Sequence, residues 1–158
     1  MMRIGQGYDL HRVVSDRALR LGGVSIPWDL GLQGHSDADV LTHAIIDAVL
    51  GALALGDIGQ WFPDTEPAYK GCSSIELLET VLADPRVQHW SLINLDATVV
   101  AEAPKLASHI SMIAASVAAC FHVPSSCISV KAKTNEGAGP VGRMEAIAAE
   151  VVLLLKKK

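Results

Sequence analysis

Two short patterns carry the ionisable groups most able to do chemistry. Near the N-terminus, "GYDLHR" places Asp9 and His11 two residues apart in an otherwise apolar opening. If this stretch is a strand, both side chains point to the same side, about 7 Å apart along the chain, and can offer an oxygen and a nitrogen to one cation. Further on, Asp39, His43 and Asp47 recur at spacing four within an apolar run, so a helix there carries a polar stripe. That stripe is either a solvated face, a core histidine with a carboxylate partner, or part of a metal site. If the strand end and the helix face meet, Asp9, His11 and His43 form an Asp, His, His set with one open tetrahedral position, as in catalytic zinc sites.

The elements that would have to position these groups are legible in outline. Ile4 to His11 reads as a strand and Ala18 to Pro27 as a hairpin turning at Gly22 and Gly23. Ser36, with Asp39 three residues on, looks like the cap of a helix that runs to Leu55 and stops at Gly56. A second helix starts at Ser73, with Glu76 in capping-box position, and ends near Pro85. Asn94 to Ala101 is strand-like, Leu106 to Phe121 helical, and Ile128 to Thr134 a strand; "RMEAIAAEVVLLL" fits helix or buried strand equally. Alternation of this kind predicts an α/β layer fold of the α+β type in one domain, residues 1–158.

Composition narrows the function classes. With 13 Lys+Arg against 17 Asp+Glu and no basic stripe beyond Lys156 to Lys158, nucleic acid is not the expected partner. No apolar run reaches the roughly 18 residues of a membrane span, and no secretory signal is evident, so a cytoplasmic protein without a membrane partner is expected. Cys72, Cys120 and Cys127 form no CxxC pair and read as reduced structural thiols.

The blocks "IGQGYDLHR", "LGGVSIP", "GLQGHSDADVLTHAIIDAVLGALALGDIG", "FPDTEPAYKG", "VVAEAPKL", "VKAKTNEGAGPVGR" and "AAEVVLLL" together resemble, in order and spacing, the 2-C-methyl-D-erythritol 2,4-cyclodiphosphate synthases of the non-mevalonate isoprenoid pathway. The resemblance implies a phosphorus-oxygen lyase that converts 4-diphosphocytidyl-2-C-methyl-D-erythritol 2-phosphate into the cyclic diphosphate and CMP. It implies a mixed four-stranded sheet with helices on one face, βαβαββ order, a last segment that is a strand, and a chorismate-mutase-like homotrimer with active sites between subunits. By the same resemblance Zn2+ binds Asp9, His11 and His43, while Mg2+ or Mn2+ binds Glu136 and the substrate phosphates.

The remaining site residues come from the resemblance as well. His35 and Thr134 stabilise the transition state; Asp9, Leu10, His11, His35 and Ser36 lie near the phosphates, the last two at a helix N-terminus that favours anions. Asp57, Ile58 and Gly59 take the ribose, and Phe62, Pro63, Asp64, Thr65 and Glu66 form a loop over the erythritol. Ala101, Glu102, Ala103, Pro104, Lys105, Leu106 and Ala107 read cytosine with Ala132, Lys133 and Thr134, and Asn135 also contacts substrate. Glu136, Pro140 and Arg143 complete the set. Lys133 stands where some members carry threonine, Gln6 where relatives carry histidine, and Pro140 where many carry an aromatic residue. Arg143 and Glu150 would lie near a threefold axis whose apolar cavity can hold an isoprenoid diphosphate, or would form a salt bridge with each other. Two other classes fit the metal set alone: a zinc-dependent phosphohydrolase and a structural metal-binding module.

Overall fold

The computed structural model describes residues 1–158. In chain order the elements are β1 (Met2–Ser15), β2 (Leu19–Leu21), β3 (Val24–Ile26), β4 (Leu30–Leu32), α1 (Val40–Ala52), α2 (Ile58–Trp61), α3 (Ser74–Ala83), β5 (Trp90–Val100), α4 (Ile110–Phe121), β6 (Ile128–Lys133), α5 (Gly139–Gly142) and β7 (Ala146–Lys157). The long elements run β1, α1, α3, β5, α4, β6 and β7, the expected βαβαββ order with two helices rather than one between the first pair of long strands. The sheet runs β4-β1-β7-β5-β6 and is mixed: β5 and β6 are parallel, and the other pairs antiparallel. It has five strands rather than four because short β4 adds to the Val13–Ser15 end of β1, while β2 and β3 form a separate hairpin. No helix is long and apolar enough to cross a membrane.

The ambiguous C-terminal segment is a strand, β7, lying between β1 and β5. Alanine and leucine favour helix locally, but a central strand with Ala149, Val151, Leu153 and Leu155 buried satisfies its backbone on both sides, and burial overrides propensity.

Helices cover one face of the sheet. Gly5, Gly7, Asp9 and His11 alternate onto that face of β1, and α1 packs across β1 and β7. A Cβ at Gly5 or Gly7 would overlap the carbonyl oxygen of Ala48 or Ala44, so only glycine lets the backbones of β1 and α1 approach this closely. The opposite face carries Ile4, Tyr8, Leu10 and Val152, all solvent-exposed in the single chain, with Glu150 beside them.

Several element boundaries differ from the sequence reading, each for a long-range reason. The first long helix begins at Val40 with Asp39, not Ser36, as its N-cap. Asp39 is fully buried; its carboxylate accepts the N–H of Thr42 and also those of Gly22 and Gly23 at the hairpin turn. The helix ends at Ala52, three residues earlier than Leu55. At α3 the capping box does not form: Ser73 makes no side-chain cap bond, and Asp37 accepts the N–H of Ser74 instead. Residues 107–109 are a turn, so α4 starts at Ile110 rather than Leu106.

Candidate metal centre and cleft

Asp9 and His11 leave β1 toward α1, and His43 rises from the first turn of α1 to meet them. Asp9 Oδ2 lies 2.8 Å from His11 Nε2 and 3.1 Å from His43 Nδ1, and the two nitrogens are 3.1 Å apart. These edges are close to the about 3.3 Å donor spacing of a tetrahedron with zinc bonds of about 2.0–2.1 Å. The three residues, each partly buried, are the one group of this kind able to hold a metal ion.

Hydrogen bonding on the far side of His11 explains why these atoms suit a cation. His11 Nδ1 donates to the carbonyl of Gln33 at 2.5 Å; a carbonyl only accepts, so in the neutral ring Nε2 is left as a lone pair aimed at the Asp9 carboxylate. Lone pairs meeting at such distances repel unless a proton or a metal ion sits between them. Without the ion the proton does this work. Burial opposes ionisation of Asp9, but hydrogen bonds and charge from His11 and His43 outweigh it and hold its carboxyl well below the usual range. Burial likewise disfavours the His11 cation, and its bond to Asp9 overcomes that and raises it. Carboxylate and imidazole donors with an open side match a borderline divalent ion such as zinc.

The open side faces a cleft of about 350 Å³. Its lining includes His35, Ser36, Ile58, Gly59, Phe62, Pro63 and Asp64 around the triad. His35 Nε2 is 3.2 Å from the carbonyl oxygen of Glu66, and Phe62 stacks edge-on against Tyr69 at 5.2 Å, so the Phe62–Glu66 loop is tied to the rim. Asp57 caps α2, accepting the N–H of Gln60 at 3.0 Å, and stands exposed beside the cleft. Leu10 points its side chain to the other sheet face and lends its N–H to Asp9 Oδ1 at 2.8 Å.

A second group of expected residues gathers elsewhere. None of Ala101 to Ala107 or Ala132 to Glu136 lines the cleft of the same chain. Ala101 N–H bonds to the carbonyl of Lys133, and the Glu102 carboxylate accepts the N–H groups of Asn135 and Gly137, which folds the turn bearing Glu136. Thr134 Oγ1 donates to Glu136 Oε1 at 2.8 Å. Arg143 pairs with Glu145 at 2.8 Å, so the Arg143–Glu150 bridge does not form within the chain.

Sequence reading missed the residues that hold the site in place. Arg17 donates to the carbonyls of Gly34 and Ser36 and so fixes the loop bearing His35. Ser74 and Asp37 stand behind His43, and Asp47 accepts the N–H of Ile58 at 2.7 Å, tying α2 to α1. A glutamine carbonyl at position 33 has no side-chain signature at all. The spacing-four stripe hinted only at Asp47.

The sequence profile of the YgbB family matches residues 2–156. The chain belongs to the YgbB family. Over 154 residues it is 56% identical to the 2-C-methyl-D-erythritol 2,4-cyclodiphosphate synthase of Trichlorobacter lovleyi, covering 98% of each chain. It is 57% identical to the synthase of the same name from a Nostoc species, covering 98% of this chain and 93% of that one. Among solved YgbB-like structures, the IspF–CDP complex of Plasmodium falciparum superposes with a TM-score of 0.86 at 34% identity, over 99% of this chain and 97% of that one. The bifunctional IspDF of Campylobacter jejuni superposes with a TM-score of 0.95 at 39% identity; this chain is fully covered and spans 43% of that longer one.

Asp47 gives a test of how α2 is held. Burial, with the charges of Asp57 and Asp9, raises its carboxyl pKa against the lowering effect of the Ile58 N–H. A carboxyl whose folded pKa lies above its unfolded one costs stability once ionised, and that cost vanishes as pH falls below both values. Asp47→Asn keeps the acceptor and loses the charge, so at neutral pH it should melt at or above the wild-type temperature, with the difference shrinking in acid. Asp47→Ala orphans the Ile58 N–H and should cost about 1–3 kcal/mol. Thermal melts across pH decide; an Asn variant as unstable as the Ala variant contradicts this account.

Proposed function

We propose that this protein converts 4-diphosphocytidyl-2-C-methyl-D-erythritol 2-phosphate into 2-C-methyl-D-erythritol 2,4-cyclodiphosphate with release of CMP. The observation that carries the reading is the convergence of three metal-ligating atoms on the floor of an open cleft, in a chain more than half identical to enzymes of that name. A substrate 2-phosphate is already anionic, so ring closure needs no base: its oxygen attacks the β-phosphorus, the bond to the α-phosphate oxygen breaks, and the electron pair leaves with CMP. The obstacle is bringing anions together in line.

Asp9, His11 and His43 would hold zinc, and Glu136 would hold magnesium or manganese; such ions, when bound, polarise phosphoryl oxygens and offset their charge. His35 and Ser36, on the loop that Arg17 fixes, would bind phosphate, with His35 and Thr134 offering donors to the charge that develops in the transition state. Asp57, Ile58 and Gly59 suit the ribose, and the loop Phe62, Pro63, Asp64, Thr65, Glu66 suits the erythritol and excludes water. Ala101 to Ala107 with Ala132 to Thr134 would take the cytosine, a role consistent with the CDP complexes known for related structures.

The same reading makes the protein a cytoplasmic homotrimer with sites shared between chains. Two features support this. The exposed apolar residues Ile4, Tyr8, Leu10 and Val152 leave one sheet face without a cover, and the two halves of the expected site lie apart within one chain. Around such an axis Arg143 could offer its guanidinium to an isoprenoid diphosphate, in exchange for its present partner Glu145.

Phosphorus NMR of the protein with substrate, zinc and magnesium should show cyclic diphosphate and CMP, and His43→Ala should abolish both. Inorganic phosphate as the product would instead identify a phosphohydrolase. For the shared site, Asp9→Ala and Glu136→Ala proteins, each inactive, are unfolded and refolded together. Three quarters of the trimers are then mixed, each with one intact site in three, so about a quarter of wild-type activity should return. No recovery despite confirmed subunit exchange would place each site within one chain.

A further inference from the structure

Behind His43 stand two polar residues outside the cleft lining, Ser74 and Asp37, which meet Ser36 of the cleft wall at the His43 ring. Ser74, the first residue of α3, is fully buried, and its Oγ lies 2.9 Å from His43 Nε2. The same Oγ donates a short hydrogen bond to Asp37 Oδ1, while the Ser74 N–H donates to Asp37 Oδ2 at 3.2 Å. Ser36 Oγ lies 3.0 Å from His43 Nε2, accepts the N–H of Ala38 at 3.2 Å, and is 3.4 Å from Ser74 Oγ.

We propose that Asp37 and Ser74 are positioning residues that fix the tautomer of His43 and thereby set the affinity of the metal centre. A serine hydroxyl has one hydrogen, and an ionised carboxylate can only accept. Ser74 therefore gives its hydrogen to Asp37 and turns lone pairs toward His43. A bare Nε2 facing them in a buried site would leave two acceptors opposed, so Nε2 carries the ring hydrogen, shared between the oxygens of Ser74 and Ser36. The other nitrogen, Nδ1, is then the bare one. It is the atom 3.1 Å from both Asp9 Oδ2 and His11 Nε2. His11 is held the same way by the Gln33 carbonyl, so both imidazoles reach the metal position already in the ligating tautomer. The tie also joins α3 to the metal, because the carboxylate that accepts the Ser74 hydroxyl also accepts its N–H at the start of that helix.

This inference rests on reading Asp9, His11 and His43 as a metal site, and the test separates the two. The Asn amide in Asp37→Asn can donate to Ser74 Oγ, which frees the hydroxyl hydrogen to point at His43 Nε2 and drives the ring hydrogen onto Nδ1. Ser74→Ala leaves Ser36 alone, which can either donate to Nε2 or accept from it. Two measurements apply: the ring 15N shifts of His43 in metal-free protein at alkaline pH, and zinc affinity by competition with a chromophoric chelator. Wild type should show the Nε2–H form. Asp37→Asn should move toward Nδ1–H and bind zinc about 10–100-fold more weakly, the range typical of lost outer-shell partners. Ser74→Ala should give a mixture of tautomers and an intermediate loss. Folded variants with wild-type 15N shifts and wild-type zinc affinity overturn the proposal. Should Asp37→Asn fail to fold, Ser74→Ala decides alone, since there Asp37 keeps its bond to the Asp39 N–H. A wild type that binds no zinc refutes the metal reading, while its 15N shifts still decide the tautomer.

Discussion

The site depends on one steric constraint, the contact of the β1 backbone with the α1 backbone. Gly5 and Gly7 present no side chain to α1, and the carbonyl oxygens of Ala48 and Ala44 occupy the space a Cβ would need. Strand periodicity then carries the same face forward to Asp9 and His11, and helix periodicity carries the residue before Ala44 toward them. A larger residue at either glycine would lift the strand from the helix and separate one carboxylate and one imidazole from the other imidazole. Chemistry at Asp9, midway along the strand, is thus set by the absence of side chains two and four residues earlier.

Around this contact the fold uses buried and partly buried carboxylates as clamps rather than as catalysts. Asp39 gathers three backbone N–H groups from two distant segments, the α1 terminus and the Gly22–Gly23 turn. Asp37 does the same for the start of α3, and Asp47 for the start of α2. Each replaces hydration with charge-assisted hydrogen bonds, which is how a carboxylate tolerates burial. The result is that the loops meeting at the cleft are anchored to α1, the element that also supplies His43. Arg17 performs the complementary task with a cation, taking two carbonyl oxygens of the His35 loop.

Much of this was legible from residue types and local period. The same-side placement of Asp9 and His11 follows from a two-residue repeat, and the strand, helix and apolar alternation predicted an α/β layer fold, to which the family resemblance added the mixed sheet with helices on one face. What escaped was decided by partners far away in sequence. Asp39 looked like one step of a polar stripe, yet it is buried because the glycine amides that bind it lie 16 and 17 residues earlier. Ser74 reads locally as helix-start chemistry, and nothing within 30 residues indicates that it contacts His43. The C-terminal segment has helical propensity, and only its central place between β1 and β5 makes it a strand. The family resemblance supplied that assignment where periodicity could not.

The most direct test of the central claim is zinc affinity, measured by chelator competition, in Gly7→Ala beside Gly51→Ala. Gly51 lies in α1 with nothing closer to a built Cβ than the Gln6 carbonyl oxygen at 3.7 Å, so an alanine there should leave the metal centre as it is and favour the helix. Gly7→Ala, in the fraction that remains folded by circular dichroism, should bind zinc at least about tenfold more weakly, as expected for a ligand set pulled out of register. Wild-type zinc affinity in folded Gly7→Ala would contradict the account, because the strand-to-helix contact would then not be what brings Asp9 and His11 to His43.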